Sequence, residues 1–326
     1  MARVAQENLV AAQPPPPAPD VVTIDKRTRT VAVAVFLAGS ALAAIAFGIP
    51  DRPYVLLWVI FGAVVVCWRN ASAPAKVLMD WLPVLVIAAG YDLVRSFAPD
   101  LVPRAVIEPQ LRFDEIVFGG TAPTVTLQDA LVDRDSPHWW DYVVWGYYLS
   151  HFVVTPLIAL WLYLRHREWF HRYAWLILIV TLAGFVTYFA VPAVPPWMAS
   201  REGELQPTVR IVHAVWEQLG FGSAAQVFAG DATLANPVAA LPSLHAAWPF
   251  LALTFLWNRE PRSRVPLGIY NVLMVFVLVY GSEHYVSDIL LGWLYVAVVY
   301  VVVNRFLDRR ARRRGRPMAL DGALRG

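Results

Sequence analysis

The chain has 326 residues, 58% of them apolar and 16% charged, with a formal net charge of +3 and a mean hydropathy of +0.50. Soluble proteins average about 45–50% apolar and about 25% charged, so the composition excludes a soluble enzyme and an intrinsically disordered chain. The single cysteine, Cys67, excludes an internal disulfide framework and a cysteine-rich zinc site.

From the N-terminus, residues 1–30 contain AAQPPPPAP at 11–19 and read as a proline-rich, disordered cytoplasmic tail. A bilayer span takes about 20 mostly apolar residues. Candidate spans follow at 31–49, 54–68, 81–97, 139–164, 173–191, 243–257, 265–282 and 285–304. The pattern predicts an all-α, polytopic membrane helix bundle of about eight transmembrane helices, filling a catalytic domain at 31–305. Residues 306–326 form a basic cytoplasmic tail. Its leading stretch, RFLDRRARRRGR at 305–316, lies beside a span and reads as an anchor to anionic lipid rather than a nucleic-acid patch.

Basic residues near span ends set orientation. With both termini cytoplasmic, 20 Lys and Arg fall on the inner side and 7 on the outer. An odd span count would place one basic tail outside. The two long loops, about 98–138 and 192–241, then face the extracytoplasmic side, and long loops in compact proteins are usually functional or disordered. The protein is therefore expected in the cell membrane, multi-pass.

Ionisable groups beside or within apolar helices are costly and mark functional candidates. The strongest cluster is Glu283-His284-Tyr285-Val286-Ser287-Asp288, at the entry to the last span. A helix puts His284 and Asp288 on one face. A carboxylate there accepts a hydrogen bond from one imidazole nitrogen and leaves the other basic, which is the base-plus-orienter half of a nucleophilic site. The plainer alternative is a helix start with a capping acid and an interfacial histidine.

The second cluster is Leu241-Pro242-Ser243-Leu244-His245. Pro242 suits a first helical position. The unpaired N–H groups of that turn favour an anion, and Ser243 offers a hydroxyl. His245 lies one turn in, at the membrane depth of His284. The alternative is an ordinary Pro-Ser helix start with a satisfied polar histidine. Together, two histidines, an aspartate and a helix N-terminus suit phosphoryl transfer: one imidazole attacks phosphorus, the other protonates the leaving oxygen. This chemistry calls for no metal and no cofactor, and a zinc site is the poorer reading of scattered acids and two histidines.

LPSLHAA (241–247) and EHYVSDILLG (283–292) resemble the second and third signatures of the type 2 phosphatidic acid phosphatase superfamily. They are most similar to its inositol phosphorylceramide synthase-like branch, which has a His-Tyr-x-x-Asp pattern. Weaker similarity extends over YDLVR (91–95), WWDYVVWGYYLSHF (139–152) and PPWMAS (195–200). The resemblance implies a six-helix phosphatase-type core and metal-independent chemistry on lipids. It implies a phosphohistidine on His284, with His245 as general acid and Asp288 as orienter; Tyr285, inside the motif, is a further candidate for substrate contact.

Three positions depart from the pattern. Leu244 replaces the usual glycine; Leu278 replaces the phosphate-binding arginine six residues before the histidine; and the first signature, Lys-x6-Arg-Pro, finds Ala88, Arg95 and Ser96. Arg95 is the leading candidate for the missing cation, with a structural pair to Asp92 as its alternative; Arg112, Arg201 and Arg210 follow it. Asp141 and His151 extend a polar cavity or bond between helices. Trp139, Trp140 and Trp197 read as interfacial anchors, with Trp197 also placed to line a lipid entrance. Tyr91 and Tyr188 receive no role.

The function expected is a lipid phosphatase or phosphotransferase acting on a phosphoester or pyrophosphate at the extracytoplasmic face. Its partners are a lipid phosphate or phospholipid substrate, a hydroxyl acceptor where the reaction is transfer, and the membrane; no nucleic acid is expected. A non-catalytic transporter or scaffold that keeps the fold is the rival reading, favoured by Leu278 and Ala88.

Overall fold

The computed structural model describes residues 73–220 and 236–313, with three isolated helical positions, 31, 35 and 39, before them. The spans expected at 31–49 and 54–68, the tail at 1–30 and the end of the basic tail lie outside the described residues. The chain divides between Leu82 and Pro83 into two compact units, and the second, Pro83–Gly326, holds both histidine clusters.

The described residues are helical and contain no named strand. In chain order the helices are α1 (Ala73–Ser96), α2 (Ala98–Leu101), α3 (Glu108–Val117), α4 (Pro123–Leu131), α5 (Trp139–Arg165) and α6 (Arg167–Ala190). Then come α7 (Pro196–Arg201), α8 (Ile211–Gln218), α9 (Leu244–Leu256), α10 (Arg264–Tyr280) and α11 (Val286–Arg313). Four described helical stretches are long and apolar enough to cross a bilayer, and the bent pair Leu78–Ser96 and Ala98–Arg104 makes up to five. The protein is thus a multi-pass, all-α membrane bundle. The last helix runs on to Arg313, past the boundary at 305 that the sequence sets for the membrane domain.

One expected span is shorter than a bilayer crossing requires. The apolar run at 243–257 forms α9, of 13 residues, or about 20 Å at 1.5 Å per residue, against a hydrocarbon core of about 30 Å. Ser243 caps its start and the Asn258-Arg259-Glu260-Pro261 stretch follows its end. One end of α9 must therefore stop short of a membrane face. This helix packs against α5, α6, α10 and α11.

Polar and apolar surfaces are inverted relative to a soluble protein, as lipid-facing helices require. Leu164, Val186, Val265, Val272, Leu294 and Phe306 are exposed, whereas His151, Thr155, Arg172, Asn271 and Asn304 are buried. Each inward polar group needs a partner. The Arg172 guanidinium donates to Asn304 Oδ1, and Asn271 Nδ2 donates to the carbonyls of Pro249 and Leu267. Helix α3 is inverted too: Gln110 and Asp114 are buried while Phe113, Ile116 and Val117 face outward.

At the end of the bundle where α11 begins, three extended segments are joined through their backbones. Val106 N–H donates to Pro192 O and Val194 N–H to Val106 O; Ala193 N–H donates to Val238 O and Ala240 N–H to Ala193 O. Gln128 adds a brace: its Nε2 donates to the carbonyls of Val209 and Tyr280, and its Oε1 accepts from Val209 N–H. These ties fix the loops that approach the two histidine clusters.

Candidate active site

Ser243 is the N-cap of α9, with its Oγ accepting the N–H of Ala246 at 3.3 Å. A cap of this kind holds the first helical turn in register. Pro242 therefore lies just before the cap rather than at the first helical position that the sequence suggests; its carbonyl accepts the Tyr188 hydroxyl at 2.9 Å. Ser243 N–H donates to the Asp288 carbonyl at 2.9 Å, which ties the start of α9 to the first turn of α11. Close approach is possible because α11 carries Gly292 there. A Cβ on that glycine would lie 2.5 Å from Ser243 O.

His284 stands on the short turn between α10 and α11. Glu283 and His284 both donate their N–H to Leu278 O, and Ser282 has a φ of 63°. A left-handed serine persists only where its surroundings hold it. Here Trp197 N–H donates to Ser282 O at 3.0 Å, and the hydroxyls of Ser282 and Thr208 meet at 2.9 Å.

The His284 Nδ1 atom has two neighbours, Ala240 O at 3.0 Å and Asp288 Oδ2 at 3.5 Å. The carbonyl is the nearer partner, and it can only accept. That assigns the proton to Nδ1 and leaves Nε2 with its lone pair. Asp288, which the sequence makes the orienter, is fully buried and accepts the N–H of Tyr285 at 3.0 Å. The His284 Nδ1 atom thus lies between a carboxylate and a backbone oxygen, with the backbone oxygen nearer.

The two predicted histidines meet. The rings of His245 and His284 lie 5.6 Å apart, centroid to centroid, a spacing that lets both reach the substituents of one phosphorus atom. Tyr148 stacks on His245 at 4.9 Å and Phe152 packs edge-on at 5.6 Å. His151 lies 4.5 Å from His245 and stacks on Trp248 at 5.0 Å. The imidazole that the sequence leaves between a cavity wall and a helix–helix contact therefore backs the central histidine. Among the described residues, the buried atoms His245 Nε2 and Asp288 Oδ1 meet no hydrogen-bond partner. Unsatisfied buried groups cost free energy, so a polar occupant between the two side chains would find atoms ready to meet it.

The sequence assigned no role to two groups. Asp114, on α3, accepts the N–H groups of Val286 at 3.0 Å and Ser287 at 3.3 Å. It caps the helix that follows His284. Burial pushes its carboxyl up to about 6, against the two N–H bonds, and the nearby Asp288 charge pushes the same way. The other is Glu283, which forms a two-pronged ion pair with Arg210, Nε to Oε1 at 2.8 Å and a terminal nitrogen to Oε2 at 3.1 Å.

The remaining candidates separate. Arg95 is half-buried in the last turn of α1, one turn beyond Tyr91. Asp141 is structural: it accepts the N–H of His138 at 2.8 Å and the Tyr280 hydroxyl at 2.6 Å. Trp139 is 73% exposed, as an interfacial anchor would be, whereas Trp197 is buried with the Arg210 guanidinium 4.5 Å above its ring. Arg112 pairs with Glu108 on the surface. Among the described residues no group of three or more His, Cys, Asp or Glu side chains gathers as a metal site would.

A membrane bundle with paired histidines at one end of its helices is a recognisable class, the integral membrane phosphoryl-transfer proteins. The profile of the PAP2 superfamily matches residues 122–302, and the chain belongs to that superfamily. It is 32% identical over 232 residues to the phosphoinositol dihydroceramide synthase of Bacteroides thetaiotaomicron, covering 67% of this chain and 73% of that one. It is 28% identical over 133 residues to the inositol phosphorylceramide synthase catalytic subunit of Schizosaccharomyces pombe, covering 39% of this chain and 31% of that one. No solved structure matches it.

Proposed function

We propose that the protein is a metal-independent membrane lipid phosphotransferase working through a phosphohistidine at the extracytoplasmic face. The observation that carries this reading is the 5.6 Å approach of His245 to a His284 whose Nδ1 is held by Ala240 O. Both relatives are named as synthases, one of phosphoinositol dihydroceramide and one of inositol phosphorylceramide, which favours transfer over hydrolysis. The 20 to 7 split of basic residues favours the outer face.

In the first half-reaction His284 Nε2 attacks phosphorus of a phospholipid and the bond from phosphorus to the lipid oxygen breaks. That oxygen leaves with the proton of protonated His245. In the second, neutral His245 takes the proton of an acceptor hydroxyl as its oxygen attacks phosphorus, and the bond to His284 breaks. Both steps balance on these side chains alone. Asp288 steadies the imidazolium character that develops on His284. Ser243 and the first-turn N–H groups of α9 receive phosphoryl oxygens, with Tyr285 and Arg95 as further substrate contacts.

Thin-layer analysis of products tests this, using purified protein with headgroup-labelled phospholipids and a panel of lipid hydroxyl acceptors. A transfer product without water-soluble headgroup phosphate is expected; headgroup phosphate alone identifies hydrolysis. His284→Ala should lower turnover by at least about 10³-fold, as loss of a covalent nucleophile does, while the protein stays monodisperse. A wild-type protein inert toward every lipid phosphoester, with His284→Ala silent in cells, leaves the transporter or scaffold reading.

A further inference from the structure

Helix α3 carries three different stripes on its 10 residues. Gln110 and Asp114, four apart, are buried. Glu108, Arg112 and Glu115 recur at four- and three-residue spacing and share a second stripe, where Arg112 pairs with Glu108 at the exposed surface. Phe113, Ile116 and Val117 form the third, and they are 38%, 79% and 55% exposed. An exposed apolar patch of this kind marks contact with a protein or a membrane.

Position decides between those two. Asp114 accepts the N–H groups of Val286 and Ser287, so α3 is fastened to the first turn of α11. That helix is long and apolar enough to cross a bilayer from Val286 to Leu307. Its first exposed residue is Leu290, followed a turn later by Leu294. Four residues of helix rise about 6 Å, so α3 is held close to the depth at which α11 meets lipid.

The length of α3 sets its direction. Ten residues make about 15 Å, too short to cross a hydrocarbon core of about 30 Å, and the charged stripe bars full immersion. A helix with one apolar and one charged stripe, attached at membrane level, lies along the interface.

We infer that α3 is an interfacial helix. Phe113, Ile116 and Val117 dip into the acyl chains of the leaflet that holds the start of α11, while Glu108 and Arg112 stay in water. The bilayer surface thereby holds the Asp114 cap on the turn after His284. This placement depends on the membrane bundle and not on the phosphoryl chemistry.

Full-length protein in phosphatidylcholine vesicles tests this. In a Cys67→Ser background, nitroxide labels at Ile116→Cys and at Arg112→Cys are compared by electron paramagnetic resonance. Collision is measured with oxygen, which dissolves in lipid, and with a nickel chelate, which stays in water. The oxygen-to-nickel ratio should be at least about fivefold higher at 116 than at 112, as for two sides of an interfacial helix. Equal ratios put the apolar stripe in water. A label at 116 shielded from both reagents puts it against protein, a second copy of the chain included; either result overturns the placement. Val117→Cys with Glu108→Cys repeats the comparison if a first variant does not fold.

The link to the site is read by hydrogen–deuterium exchange. Ile116→Asp sets a charge against the acyl chains, so the amides of Val286 and Ser287 should exchange at least about tenfold faster in vesicles while those of α10 do not change. Ile116→Ser should give a smaller rise at the same amides, and it decides if the aspartate variant does not fold. Unchanged exchange at those amides refutes the link. A wild-type protein that turns over no lipid would count against the phosphotransferase reading and leave both measurements standing.

Discussion

At the scale of single residues, the site consists of groups whose protons are assigned by their neighbours. His284 offers Nε2 because its other nitrogen faces a carbonyl, and Asp114 caps the next turn from a buried position. The Asp114 carboxyl, raised to about 6 by burial, has a consequence for stability. A group whose pKa rises on folding contributes stability that is complete below its ordinary value, near 4, and lost as pH rises through about 6. The thermal midpoint of the wild type, measured against Asp114→Asn in detergent, should fall between pH 4.5 and 7.5. The difference amounts to about 3 kcal/mol at most; a gap between the two that stays level with pH would refute it. The spacing of His284 and Asp288 was legible, but His284 sits on the turn before α11 and not within the helix, so the turn rather than a shared helix face brings the two within 3.5 Å. Asp114 was not legible: an acid in a short polar segment between spans reads as solvated surface until α3 turns it inward.

At the scale of elements, the histidines meet because two helix starts are bound to each other. The apolar runs located α5, α9 and α10 within two residues at each end, while α6 begins six residues before its run and α11 ends nine residues after its own. They placed α9 without showing that it is too short to cross a bilayer, since an apolar run shows where a helix avoids water and not whether it reaches both faces. The contact between α9 and α11 depends on Gly292, whose missing Cβ leaves room for Ser243 O. Gly292→Ala should force the helix starts apart, at a cost of about 1–3 kcal/mol for overpacking. Turnover should fall at least about tenfold in kcat with little change in KM, as steady-state assays would register. An unchanged kcat would mean that the helix spacing tolerates the added methyl group.

At the scale of the whole molecule, the composition already declared a membrane protein, and the described helices accord with that. The facing of the bundle rests on charge alone. In a Cys67→Ser background, Glu202→Cys, exposed just after α7, is expected to react with a membrane-impermeant maleimide in intact cells. Labelling only after lysis would put the histidines on the cytoplasmic side and reverse the orientation. Lipid type and acceptor were beyond the sequence, because two histidines and an aspartate specify neither.

The oxygen of Ala240 that holds His284 belongs to the main chain, and no codon specifies it. Any residue at that place supplies the same atom, so systematic side-chain replacement would pass over it and report the position as tolerant. What the gene controls is the docking of Ala193 between Val106 and Ala239, three stretches whose register delivers that oxygen to the imidazole. Inheritance of the His284 tautomer is therefore diffuse, written into the way three loops lie side by side.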